Sequence, residues 1–142
     1  MKHPLLRTTI AGAGLLFFGI ISIQAAPQYR DEDPWHRSRD AFYQEQSWKM
    51  HLFDRVREDL DHVQTLAFSG ADEDRIVRTK QMLGDLQGRL ADGRYDRPEL
   101  NDTIAALTRV VSDNRLSSRD RDMLSDDLNR MRDYRDHHED WR

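Results

Sequence analysis

Between Pro34 and Phe68 the chain carries no glycine and no internal proline. Apolar residues recur in that stretch at Leu52, Phe53, Val56, Leu60, Val63 and Leu66. Gaps of three and four residues put those side chains on one face of an α-helix, whereas a half-buried strand would need alternation. Three later stretches show the same spacing. Ser69-Gly70 interrupts the first pattern, and a second helix is expected from about Asp72 to Asp92, with Ile76, Val77, Leu83, Leu86 and Leu90 inward. A third is expected from about Arg97 to Ser112, with Leu100, Ile104, Leu107, Val110 and Val111 inward. A fourth begins after Ser117 and carries Leu124, Leu128, Met131 and Tyr134. Gly84 and Gly88 fall inside the second helix, where they weaken it or admit a close neighbour. Seven glycines and four prolines in 142 residues are too few for a turn-rich all-β chain. The expected fold is all-α: an antiparallel four-helix bundle over residues 34–142, with a long first helix.

The two later turns repeat one pattern. The first reads Asp92-Gly93-Arg94-Tyr95-Asp96-Arg97-Pro98-Glu99, and the second Asp113-Asn114-Arg115-Leu116-Ser117-Ser118-Arg119-Asp120. Gly93 and Asn114 tolerate the left-handed conformation that ends a helix. Asp96 and Ser117 can accept hydrogen bonds from free amides of the next helix, and Glu99 and Asp120 can reach back from the third helical position. Tyr95 and Leu116 precede the caps and can pack on the first turn. Pro98 lacks a donor that would be unpaired there in any case. Neither turn has the ligand spacing or the bidentate Glu of a calcium loop.

The first 26 residues have a different character. Lys2, His3 and Arg7 make a short basic start, and no charged side chain occurs from Thr8 to Ile23. The run Leu15-Leu16-Phe17-Phe18-Gly19-Ile20-Ile21 is followed by Ala25 and Ala26. That is the three-part pattern of a secretory leader, and its apolar part is shorter than the roughly 20 residues that span a bilayer. Pro27 disfavours cleavage after Ala26, so residues 1–25 are expected to leave as a signal peptide. Residues 26–33 are expected to be a flexible start to the mature chain. The expected location is exported, periplasmic or secreted, with membrane contact only through the leader if it stays uncleaved. The whole chain has 22 basic and 26 acidic residues, and loss of Lys2 and Arg7 takes the net charge from −4 to −6. That sign argues against nucleic acid as a partner. Cysteine is absent, so an exported form holds together without disulfides.

Short connections make neighbouring helices antiparallel. A first helix of about 33 residues would be roughly 50 Å long, against about 24 Å for a third helix of about 16 residues. The start of the first helix and the end of the fourth should therefore project together. Trp35, His36, Phe42, Tyr43 and Trp48 lie on one side of that extension, and Tyr134, His137, His138 and Trp141 on the other. Aromatic residues there can close the core. Trp and Tyr beside Arg are also the types enriched where partners dock, so Trp35, Phe42, Tyr43, Trp48, Tyr134 and Trp141 make a candidate patch for a protein partner or self-association.

His36, His137 and His138, with Glu139 and Asp140, could supply imidazole and carboxylate ligands to zinc, copper or nickel. Adjacent histidines cannot both point along one helical face. His62 follows Glu58 by four residues, a spacing that suits a surface ion pair. No Ser–His–acid arrangement, glycine-rich phosphate loop or His-Glu-x-x-His is present, and no cofactor is implied.

The opening of the fourth helix, Leu116-Ser117-Ser118-Arg119-Asp120-Arg121-Asp122-Met123-Leu124, resembles the Leu-Thr-x-x-Gln opening of the Spy/CpxP group. Those are small exported helical proteins linked to envelope stress, chaperoning and metal response. The likeness covers under ten residues; Asp120 stands where that group has Gln, and a second copy is missing. The mature chain also resembles small uncharacterised exported helical proteins of environmental bacteria, which implies a fold and an address and no activity. The function expected is non-catalytic: a cell-envelope interaction or chaperone-like module. The alternative is a periplasmic metal sensor or buffer.

Overall fold

The computed structural model describes residues 34–141, and the expected leader (1–25) and connector (26–33) lie outside them. Those residues are all-helical and contain no strand. Five α-helices are present: α1 (Pro34–Gln44), α2 (Leu52–Gln64), α3 (Gly70–Ala91), α4 (Arg97–Asp113) and α5 (Ser118–His137). Two 3-10 segments accompany them, Gln46–His51 between α1 and α2, and His138–Trp141 after α5. Among the described residues no helix is long and apolar enough to cross a membrane.

The single first helix expected over residues 34–68 is divided. Glu45 is extended (φ −75°, ψ 142°) and separates α1 from the 3-10 segment. Gln44, Glu45, Gln46 and Ser47 have no apolar side chain to hold onto the core, so a bend there loses little packing. What the bend gains is contact: Trp35 meets His62, Arg39 meets Asp59, and the Arg55 guanidinium lies over Phe42. The first segment therefore lies back along α2, and the projecting two-helix extension does not form. Leu66, expected on the inward face, is 52% exposed because α2 ends at Gln64.

Every buried apolar side chain among the described residues comes from α2–α5. Leu52, Val56, Leu60, Ile76, Leu83, Leu86, Leu100, Leu107, Val110, Leu124 and Met131 are fully enclosed. A side chain of this size stabilises by about 1.5–3 kcal/mol when buried. Contacts run from α2 to α3, α3 to α4, α4 to α5, and from α5 back to α2. Named pairs show the alignment. Gln87 donates to Asp54 and Lys80 to Gln64 between α2 and α3. Arg75 donates to Asn114, at the end of α4, and Arg89 pairs with Glu99 near its start. Arg135 reaches Asn101 and Arg121 reaches the Val111 carbonyl between α4 and α5. Phe53 meets Tyr134, and His62 faces Asp120, between α2 and α5.

The turn chemistry follows the sequence with one exception. Ser69, Asp96 and Ser117 each accept a backbone amide three residues on, from Asp72, Glu99 and Asp120. Gly93 has φ +73°, the left-handed end expected of it. Asn114 does not: its backbone is extended (φ −80°, ψ 150°). Its side chain is buried instead, donating to the Asp72 carbonyl and accepting from Arg75 Nε. The amide thus ties the start of α3 to the end of α4, which a glycine could not do.

Candidate functional site

Two clusters stand out, and both depend on the bend at Glu45. The first is an aromatic series at the end of the molecule where α2 starts and α5 finishes. Phe42 meets Tyr43, Tyr43 meets Trp48, Trp48 meets Trp141, and Trp141 meets Tyr134, with ring centroids 5.0–5.4 Å apart. Planes inclined by 72–80° make these edge-to-face contacts, the arrangement the ring quadrupole favours. Phe53 and Tyr95 extend the series from Tyr134. Five of the six patch residues are thereby joined. Trp35 is not; it stacks on His62 (5.0 Å, 6°) and lies under the Arg55 guanidinium. All three tryptophans are half-buried and packed against the core. The patch is therefore an intermediate surface, neither fully closed nor open.

Beside this series lies a cleft of about 580 Å³. Phe53, Tyr95, Tyr134, His138 and Trp141 line it, together with Leu90 and the 75% exposed Met50. His138 stacks on Tyr95 at 3.7 Å, and the Tyr95 hydroxyl donates to the Arg135 carbonyl. Burial holds the Tyr95 hydroxyl above its ordinary pKa, so it is a neutral donor. The polar part of the wall is Lys49, Asp54 and Gln87. A cleft of this size, with rings on its wall and a few polar groups, has the make-up of a binding site.

The second cluster is a buried charge knot under α1. Arg39 Nε donates to Asp59 Oδ2 at 2.8 Å, and its Nη2 to Asp127 Oδ1 at 2.7 Å, Asp126 Oδ2 at 3.0 Å and the Met123 carbonyl at 3.1 Å. Asp59 and Asp127 are fully enclosed. Arg55 pairs with Asp59 at 3.0 Å, and the Tyr43 hydroxyl donates to Asp127 Oδ1 at 3.2 Å. Burial pushes the Asp127 carboxyl up to about 7, the Asp59 charge adds to the shift, and Arg39 opposes it. Burial pulls on Arg39 in the opposite sense, but Asp127 and Asp59 outweigh it and hold the guanidinium above its ordinary value. Burial, then Asp127, raises Tyr43 as well. A guanidinium between two carboxylates offsets much of the buried charge.

The histidines are dispersed. His36 is buried with Nε2 3.8 Å from Asp120 Oδ1, and His62 Nε2 is 3.6 Å from the same oxygen. The ion pair expected between His62 and Glu58 is replaced by this contact. His137 pairs with Asp133, and His138 faces Tyr95. Asp120 and His137 stand at opposite ends of α5, about 25 Å apart, so His36 cannot join the pair at the far end. Among the described residues no three His, Asp or Glu side chains are grouped to hold a metal ion.

Several site residues escaped the sequence. Phe53 and Tyr95 read as a core residue and a cap neighbour. Arg39 gave no sign, since arginines are abundant. Asp59 and Asp127 did carry a signal: each sits on an apolar stripe, between Val56 and Val63 and between Met123 and Met131. An acid in such a stripe demands a buried cation. Compared with known proteins, the chain matches no family model, no curated protein and no solved structure.

Proposed function

We propose that this chain is an exported, non-catalytic module that binds polypeptide partners through the aromatic cleft, in the manner of a cell-envelope chaperone or adaptor. In this reading residues 1–25 are removed on export and α2–α5 form an antiparallel four-helix bundle. The residue pairs between successive helices support that arrangement. The observation that carries the function is the cleft itself: Phe53, Tyr95, Tyr134 and Trp141 meet around an open volume, with a mobile type of side chain, Met50, exposed at its edge. Rings supply contact area at small entropic cost, and that suits apolar segments of varied sequence.

Aggregation of a chemically unfolded client protein, followed by light scattering, tests this. Wild-type protein should suppress the signal, and Tyr95→Ala with Trp141→Ala should lose most of the effect while staying folded by circular dichroism. No suppression by wild type, or full suppression by the folded double variant, overturns the proposal.

A further inference from the structure

The polar groups in the cleft wall are not equivalent. Asp54 has hydrogen-bonding partners, Gln87 Nε2 donating to its Oδ1 at 2.6 Å and His51 Nδ1 standing 3.6 Å from its Oδ2, and these hold its carboxylate at the α2–α3 side of the wall. Lys49 is not matched in this way. Its ammonium lies over the Trp141 ring, 5.2 Å from the centroid, and pairs with no carboxylate among the described residues. The chain's other mature lysine, Lys80, has both Asp61 and Gln64. The other basic side chain of the wall, the His138 imidazole, faces the Tyr95 ring and pairs with no acid among the described residues. So the cleft combines ring surface with one unmatched cation at its edge, in a chain whose net charge is negative.

We infer that the cleft selects an aromatic or apolar group that carries a free carboxylate: the group packs among Tyr95, Tyr134 and Trp141, and the carboxylate pairs with Lys49. This rests on the reading of the cleft as a binding site and adds the charge of what enters it. The complementarity belongs to the Lys49 and Trp141 end of the cleft, away from Gln87 and Asp54. A neutral ligand would leave the ammonium as it is, on the Trp141 face. A cationic one would compete with Lys49 for that face and be repelled by it. A carboxylate gains an ion pair while the ring contacts stay the same. The same chemistry arises from two sources, a free aryl acid or the C-terminal residue of a polypeptide.

The test is a titration of the full chain, read by indole fluorescence and by the Trp141 and Tyr95 resonances. The ligands are 3-phenylpropionate, its neutral amide, phenethylammonium, and a tetrapeptide ending in Phe with either a free or an amidated C-terminus. We expect each acid to bind about fivefold more tightly than its amide, the scale of one partly exposed ion pair. Lys49→Met should abolish that difference. The free acid binding as well as the peptide would assign the site to small aryl acids, and selectivity in the peptide alone would assign it to chain termini. Either result supports the inference. Equal binding of acid and amide by wild type overturns the inference and leaves the cleft a binding site. Tighter binding of phenethylammonium, or acid preference that survives in Lys49→Met, overturns it too. If no ligand perturbs Trp141 or Tyr95, both readings fall.

Discussion

Arg39 donates to Asp59, Asp126, Asp127 and the Met123 carbonyl from a helix whose buried side chains are His36 and itself. Apolar burial therefore does little to hold α1, and this guanidinium is shared between two enclosed carboxylates, of which Asp59 also has Arg55. Removing one partner of a buried ion pair leaves the other uncompensated, which costs about 3–5 kcal/mol. Arg39→Ala should show a loss of that size in denaturant unfolding, far more than an exposed pair such as Arg94 with Asp92, which is worth at most about 1 kcal/mol. The same knot sets a pH dependence. The Asp127 carboxyl is raised from 3.8 to about 7 in the fold, so the native state favours its protonated form. Its contribution to stability is whole below pH 3.8 and is lost as pH rises through about 7. Unfolding midpoints measured between pH 4 and 7 should fall with rising pH, and Asp127→Asn should flatten that slope. A slope unchanged in the variant would place the titration elsewhere.

At the scale of helices, the sequence was most legible where the rules are local. Asp96 and Ser117 cap α4 and α5, and Gly93 takes φ +73°, because each needs only neighbours within three residues. The break at Glu45 was not legible, since nothing between Gln44 and Ser47 is a strong stop signal. It is decided by the partners of Arg39, Asp59 and Asp127, which lie 20 and 88 residues beyond that arginine. Gly84 and Gly88 looked alike in sequence and differ in space. A methyl at Gly84 would press on Arg57 Nη2 at 2.6 Å, the far end of a flexible side chain, while one at Gly88 would meet nothing within 4 Å. Gly88→Ala should therefore stabilise the protein by about 0.5–1 kcal/mol through helix propensity alone. Thermal melts of the variant would check this, and a lowered midpoint would mean that the position is constrained by something other than space.

Across the whole molecule, the division of labour is between a core built by α2–α5 and a first helix laid on it by charge and stacking. The apolar stripes made most of the core legible, with Leu66 lost where α2 ends, whereas pairing between distant surfaces left no periodic trace. The candidate site was half legible: Trp48, Tyr134 and Trp141 do meet, but Trp35 belongs to another face, and the cleft beside them owes its walls to Phe53 and Tyr95. A chain starting at Glu45 should keep a single cooperative melt in circular dichroism, at a lower temperature, because it retains every apolar side chain buried among the described residues and opens Asp59 and Asp127 to water. Loss of cooperativity would show that α1 is part of the core after all. The way α1 lies on the rest also has a mechanical meaning. Its contacts fall in chain order: Trp35 on His62, then Arg39 on Asp59 and Asp127, then Tyr43 on Asp127. A load applied at Pro34 and directed away from α2 reaches them one after another, so it peels the helix like an adhesive strip. The first work done against such a tether is spent on these few bonds, with Arg39 as the force peak, before any strain enters the core.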